Sequence, residues 1–166
     1  FMTMRRSIVE DFLAGRYHLS ADKAVTYYKL HKENLSLIEK AQILALAIKA
    51  NTEIKNFSIA EIYKDEALKL IKGSNDSIAE SFVLNAVSHL LMKQDKMGEA
   101  INILTDAARN AVLQPVELRL LTLSNIAIFL KKTNPEKAKP YFEAVRRISA
   151  SLNYQEFAED VFLAFK

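Results

Sequence analysis

The chain has 166 residues, half of them hydrophobic and 26% charged, with no cysteine and a formal net charge of +3. That is one domain's worth of chain, able to bury about two-thirds of the surface its unfolded form would expose, so it needs no disulfide or structural metal. The missing cysteines exclude disulfides and thiol catalysis, and the basic residues are scattered (Arg5-Arg6, Lys131-Lys132, Arg146-Arg147) instead of forming a tract that would point to nucleic acid.

Glycine and proline number three each, well below the average usage of about 7% and 5%, and few turns imply few strands. Apolar residues recur at threes and fours along the chain, the mark of amphipathic helices. The spacing predicts helices at 3–14, 20–32, 36–54, 58–72, 77–93, 97–111, 115–132, 135–150 and 154–165. The first, with "VEDFLA", stops at Gly15. Ser20 is expected to cap the second, and Gly73 closes the fourth after "EALKLIK". Asp76 or Ser77 opens the fifth ahead of "IAESF", and Gly98 marks the start of the sixth. Asn134 caps the eighth, with Pro135 at its first position and Pro140 in its second turn. The ninth carries Phe157, Val161, Phe162 and Phe165, too apolar to lie free. Connections this short make successive helices antiparallel. Runs such as "ILALAI" and "IAIFL" are too short to span a bilayer, and no signal peptide shows, so a soluble cytoplasmic protein is expected. The opening Phe1-Met2 reads as a piece of something longer, or as a small module standing alone; either way residues 1–166 form one domain.

The helices are not independent of one another. "ADKAVTYYKLHK", "FSIAEIYKDEAL", "MGEAINILTDAA" and "PEKAKPYFEAVR" align on Ala24, Ala60, Ala100 and Ala138, at intervals of 36, 40 and 38. Three or four residues after each alanine stand bulky ones, Tyr27-Tyr28, Tyr63, Ile103-Leu104 and Tyr141-Phe142, and seven residues after it stand His31, Ala67, Ala107 and Val145. The helices between show a matching stripe: Ile43, Leu46, Ala47 and Ala50; Leu84, Val87, Ser88 and Leu91; Leu123, Ile126, Ala127 and Leu130. A small residue in mid-stripe lets two helix backbones approach closely while its bulky neighbours fill the flanking grooves.

On these residues the chain resembles the tetratricopeptide-repeat family. "PEKAKPYFEAVRRI" is similar to the second helix of that repeat, with Ala138 and the Tyr141-Phe142 pair, and "ADKAVTYYKLHK" matches nearly as well. The intervals exceed the family's period of about 34 residues, and Lys64 stands where an aromatic is expected, so the likeness is to its longer, divergent relatives among peptide-sensing or protein-binding bacterial regulators. The resemblance implies an all-α, right-handed superhelical solenoid of antiparallel helix pairs, with the first helix of each pair lining a concave groove. Counting from the small residues places Leu44, Ile48 and Asn51, then Phe82, Asn85, His89 and Met92, then Leu121, Ser124, Ile128 and Lys131 on that wall. Apolar side chains there would accept the anchors of a peptide, and Asn51, Asn85, His89 and Lys131 its polar groups.

The implied activity is that of a non-catalytic scaffold for a protein or peptide, with no cofactor and no metal. His18, His31 and His89 lack any ligand spacing, and no phosphate loop, nucleophile elbow or zinc motif occurs. Two other readings remain open: the sensing domain of a transcriptional regulator whose DNA-binding part lies elsewhere, and a structural module that self-associates as a homodimer through its terminal helices.

Overall fold

Residues 1–109 and 115–152 are those the computed structural model describes, and almost all of them are helical: α1 Met2–Leu13, α2 Tyr17–His31, α3 Leu37–Glu53, α4 Phe57–Ile71, α5 Ser77–Lys93, α6 Met97–Arg109, α7 Val116–Thr133 and α8 Pro135–Leu152. A short 3-10 turn, Lys32–Asn34, follows α2. No strand forms among the described residues. The expected ninth helix, 154–165, lies outside them.

The predicted helices are observed to within a few residues, and several starts are those read from the sequence. The Asp76 carboxylate accepts the Ile78 and Ala79 N–H groups at 3.0 Å and so opens α5. Ser36 opens α3 in a reciprocal box with Glu39, Ser36 Oγ accepting the Glu39 N–H and Glu39 Oε1 accepting the Ser36 N–H. Asn134 sits at the head of α8, and Pro140 lies inside that helix, which continues through it. Ser20 is a correction. It does not cap α2 but lies one turn inside it, fully buried, donating its hydroxyl to the Ile8 carbonyl at 2.9 Å.

The helices form a strict repeat. α1, α3, α5 and α7 end at 13, 53, 93 and 133, and α2, α4 and α6 begin at 17, 57 and 97, so the period is 40 residues. The turns inside the first three hairpins share one geometry. Gly15, Lys55 and Asp95 occupy the left-handed region at φ 78°, 59° and 61°. Beyond each, the N–H of Arg16, Asn56 and Lys96 reaches back to the carbonyl of Asp11, Asn51 and Leu91 at 2.8, 2.9 and 2.8 Å. This is the six-to-one bond by which a Schellman turn satisfies a helix's last carbonyls. The fourth turn is shorter: only Asn134 separates α7 from α8, and Pro135 has no N–H to give. α8 therefore starts two residues early.

That period resets the alignment. Ser20, Ala60 and Ala100 are spaced by 40 and are equivalent, and Ala138, 38 residues on, follows from the shortened turn. Ala24 lies one turn along the same face from Ser20. All of these side chains are buried, as are Ala47, Ser88 and Ala127, so the small-residue stripes are where helices meet.

Each helix packs on the next along the chain, and each odd-numbered helix also packs on the next odd one, α1 on α3, α3 on α5, α5 on α7. Hydrogen bonds between helices two apart join residues separated by about one period: Tyr28 to Glu66 (38), His89 to Glu53 (36), Asn125 to Asn85 (40) and Ser81 to Thr122 (41). The ends differ from the middle. Leu104 of α6 is fully buried, whereas its counterpart Phe142 on α8 is 39% exposed.

Candidate functional site

α3 and α5 turn one side away from the core, and the 40-residue register puts Gln42 beside Phe82 in the repeat, Lys49 beside His89, and Glu53 beside Lys93. Gln42, Lys49, Glu53, Phe82 and His89 are half-buried and Lys93 is exposed. These positions follow one another at seven and four residues, about two turns and one, so each set lines one stripe of its helix.

Of the eleven residues expected on the groove wall, five keep accessible surface: Phe82, His89, Met92 and Ile128 are half-buried and Lys131 is exposed. The other six are a correction. Leu44, Ile48, Asn51, Asn85, Leu121 and Ser124 are buried. For α3 the reason is a slip of one residue: alignment of Ala47 with Ser88 spans 41 residues where the repeat spans 40, and one residue rotates a helix face by about 100°. The slip puts the buried Ile48 where the accessible Lys49 stands; Leu44 and Asn51 are buried in either register, since Ala45 and Thr52 beside them are buried too, and the residues equivalent to His89 and Lys93 are Lys49 and Glu53.

Asn85 and its neighbours have another role. Its Nδ2 donates to the Ser81 carbonyl at 2.7 Å and to Thr122 Oγ1 at 3.1 Å, and its Oδ1 accepts the Asn125 Nδ2–H at 2.8 Å. Ser81, Asn85, Thr122 and Asn125 are all buried at the α5–α7 contact. Asn85 and Asn125 are equivalent positions one period apart, and Ala45 takes the same place in α3. The polar network is thus specific to the α5–α7 junction. Asn51 bonds back to the Ala47 carbonyl at 2.8 Å within its own helix.

The accessible polar groups gather around His89. Its Nε2 lies 2.7 Å from Glu53 Oε1, and since a carboxylate only accepts, the imidazole donates. Burial pushes the His89 pKa below its ordinary 6.5, a shift opposed by the Glu53 hydrogen bond and reinforced by the charge of Lys49. The hydrogen bond from His89 holds the Glu53 carboxyl below the usual 4.5 against its own burial. Burial lowers Lys49 to about 8. Lys132 Nζ lies 4.0 Å from Met92 Sδ, which brings the end of α7 beside the end of α5.

Glu53, Lys49 and the short turns at Lys55 and Asp95 escaped the sequence reading. The available signal was the recurring "GRY", "KNF" and "DKM" at 15–17, 55–57 and 95–97, a small or polar pair followed by a large side chain at each hairpin turn. Among the described residues no group of three or more His, Asp or Glu side chains could hold a metal ion, and no helix is long and apolar enough to cross a membrane. What the cluster offers is recognition chemistry: a carboxylate, an imidazole and several ammonium groups on helices that also present Phe82, Met92 and Ile128. No family model matches this chain, and no curated protein or solved structure matches it at a significant level.

Proposed function

We propose that the protein is a non-catalytic scaffold of the tetratricopeptide-like kind, a superhelical solenoid of helix pairs that binds a peptide or a protein segment along the open side of α3 and α5 and the neighbouring end of α7. The observation that supports it is the 40-residue register of the hairpins, which sets equivalent side chains of successive odd helices side by side. Stacked helical pairs of this type repeat one binding element along a line, suited to an extended or helical ligand. Phe82, Met92 and Ile128 would take apolar anchors, while His89, Glu53 and Lys131 would hold polar groups.

The test is a peptide array probed with the full chain, followed by titration of the best binders against Phe82→Ala, Met92→Ala and Ile128→Ala. These side chains are partly accessible but also pack on the core, so circular dichroism checks that each variant is folded. Each is expected to weaken binding several-fold. Unchanged affinity in all three places any binding site elsewhere, and an array without binders refutes the reading.

A further inference from the structure

α2 turns outward a stripe that the fold does not use. Leu19, Asp22, Thr26, Lys29 and Leu30 are all exposed, and their spacing keeps them within an arc of about 100° on one face of the helix, the two leucines three turns apart. Leu30 is 71% exposed and Leu19 44%. The equivalent residues of α4, Ile59 and Leu70, are half-buried and pack on the core, whereas Leu19 and Leu30 stand outside it. Nor does the repeat demand an apolar side chain here, since α6 and α8 have the exposed Glu99 and Lys137 in the place of Leu19. Between the leucines stand two opposite charges, Asp22 and Lys29, which make no ion pair among the described residues.

The order of these residues is self-complementary when reversed. A second α2 laid antiparallel, crossing beside Thr26, sets Asp22 against the partner's Lys29 and Lys29 against the partner's Asp22. The same register brings Leu30 within two residues, about 3 Å along the axis, of the partner's Leu19. Thr26, the small member of the stripe, then lies at the crossing, where it lets the backbones approach. A parallel copy in register opposes like charges, and one shifted by seven residues leaves a charge of each copy unmatched. We propose that two copies of the chain associate through α2 in this antiparallel register, as a twofold dimer. Such a contact uses the same patch on both copies and closes at two. One 15-residue helix laid on another is a small interface, so the dimer is weak and reversible, in the micromolar range. The inference is independent of the peptide-binding reading, whose residues lie on α3, α5 and α7.

Sedimentation velocity of the full chain at rising concentration is expected to show the monomer giving way to a dimer. Leu19→Asp and Leu30→Asp put a charge where the fold leaves the side chain in water, and each should abolish the dimer. Phe142→Asp, on α8, should leave it intact; circular dichroism checks that each variant is folded. Asp22→Lys and Lys29→Asp should each weaken the dimer about tenfold, since two exposed ion pairs are lost and like charges come to face each other. Combined in one chain, the two substitutions should restore it, an outcome that a merely local effect of either residue would not give. A chain that stays monomeric at every concentration, or a dimer that survives both leucine variants, overturns the proposal. A double charge variant that dimerises no better than the singles overturns the antiparallel register on which it rests.

Discussion

Asn85→Ala tests the α5–α7 junction most directly. Asn85 is almost fully buried, donates to the Ser81 carbonyl and Thr122 Oγ1, and accepts the Asn125 amide. Truncation leaves the buried Asn125 Nδ2–H without its acceptor, a loss of about 1–3 kcal/mol. The Asn85–Thr122 hydrogen bond adds about 1 kcal/mol. Thr122 keeps Ser81 Oγ at 3.3 Å, so its hydroxyl is not stranded. The expected destabilisation is about 3 kcal/mol, a large share of a stability of roughly 5–15 kcal/mol. In a chain of this size that lowers Tm by about 6–12 °C. Asn125→Ala strands Asn85 Oδ1 in the same way. The double variant removes both halves of the pair, so its cost should fall short of the sum of the singles by about 1 kcal/mol or more. Urea denaturation followed by far-ultraviolet circular dichroism measures all four species. Single variants within about 0.5 kcal/mol of the parent, or a strictly additive double, would refute a buried cooperative network at this junction.

The small-residue face predicts that Ala100→Leu destabilises by about 1–3 kcal/mol through overpacking. Ser20→Ala, which makes the first hairpin like the others, should cost about 1 kcal/mol or less, and chemical denaturation compares the two. At the hairpin turns, Gly15→Ala should cost about 1 kcal/mol from its left-handed backbone alone, because no heavy atom lies within 4 Å of the added Cβ. Asp95→Gly should gain a fraction of that, reduced by the greater freedom glycine gives the unfolded chain. His89 should titrate below 6.5 by NMR, and Glu53→Gln should lower its pKa further by removing the partner that favours the proton. Since the unfolded chain then takes up that proton first, the His89 contribution to stability is present above pH 6.5 and is lost as pH falls through the folded value. Asp11, held below the ordinary 3.8 by hydrogen bonds from Lys23 and Arg16, has the same sense: Asp11→Asn should destabilise above that pH and converge on the parent in stronger acid.

The helices were legible in the sequence because apolar periodicity and capping chemistry act locally. α5 was read with both ends right, and α8 was read with Pro135 at its head despite the interior Pro140. The register was harder to read. Ala24 and Ser20 lie one turn apart on one buried face, so the alanine drew the alignment although the serine holds the equivalent place. Burial alone does not separate such neighbours. In α3 a slip of one residue sufficed to exchange the accessible Lys49 for the buried Ile48. The Glu53–His89 pair was out of reach for a different reason: its members are 36 residues apart and meet only because two hairpins lie side by side. Lys55 and Asp95 gave no warning either, being side chains that rarely adopt positive φ and do so here because the turn's backbone bonds hold them.

The matching turns at Gly15, Lys55 and Asp95 make the chain divisible at its joints. Excising residues 56–95 would splice Lys55 directly to Lys96, whose N–H could close the same turn on the Asn51 carbonyl, so that α3 is followed by α6. A cassette of one whole period leaves, and α7 meets α3 in the register it held on α5, with Ala41 and Ala45 in the places of Ser81 and Asn85. A cut of 36 or 38 residues would instead join mismatched faces, so the tolerance of this protein to shortening should rise sharply at a single length.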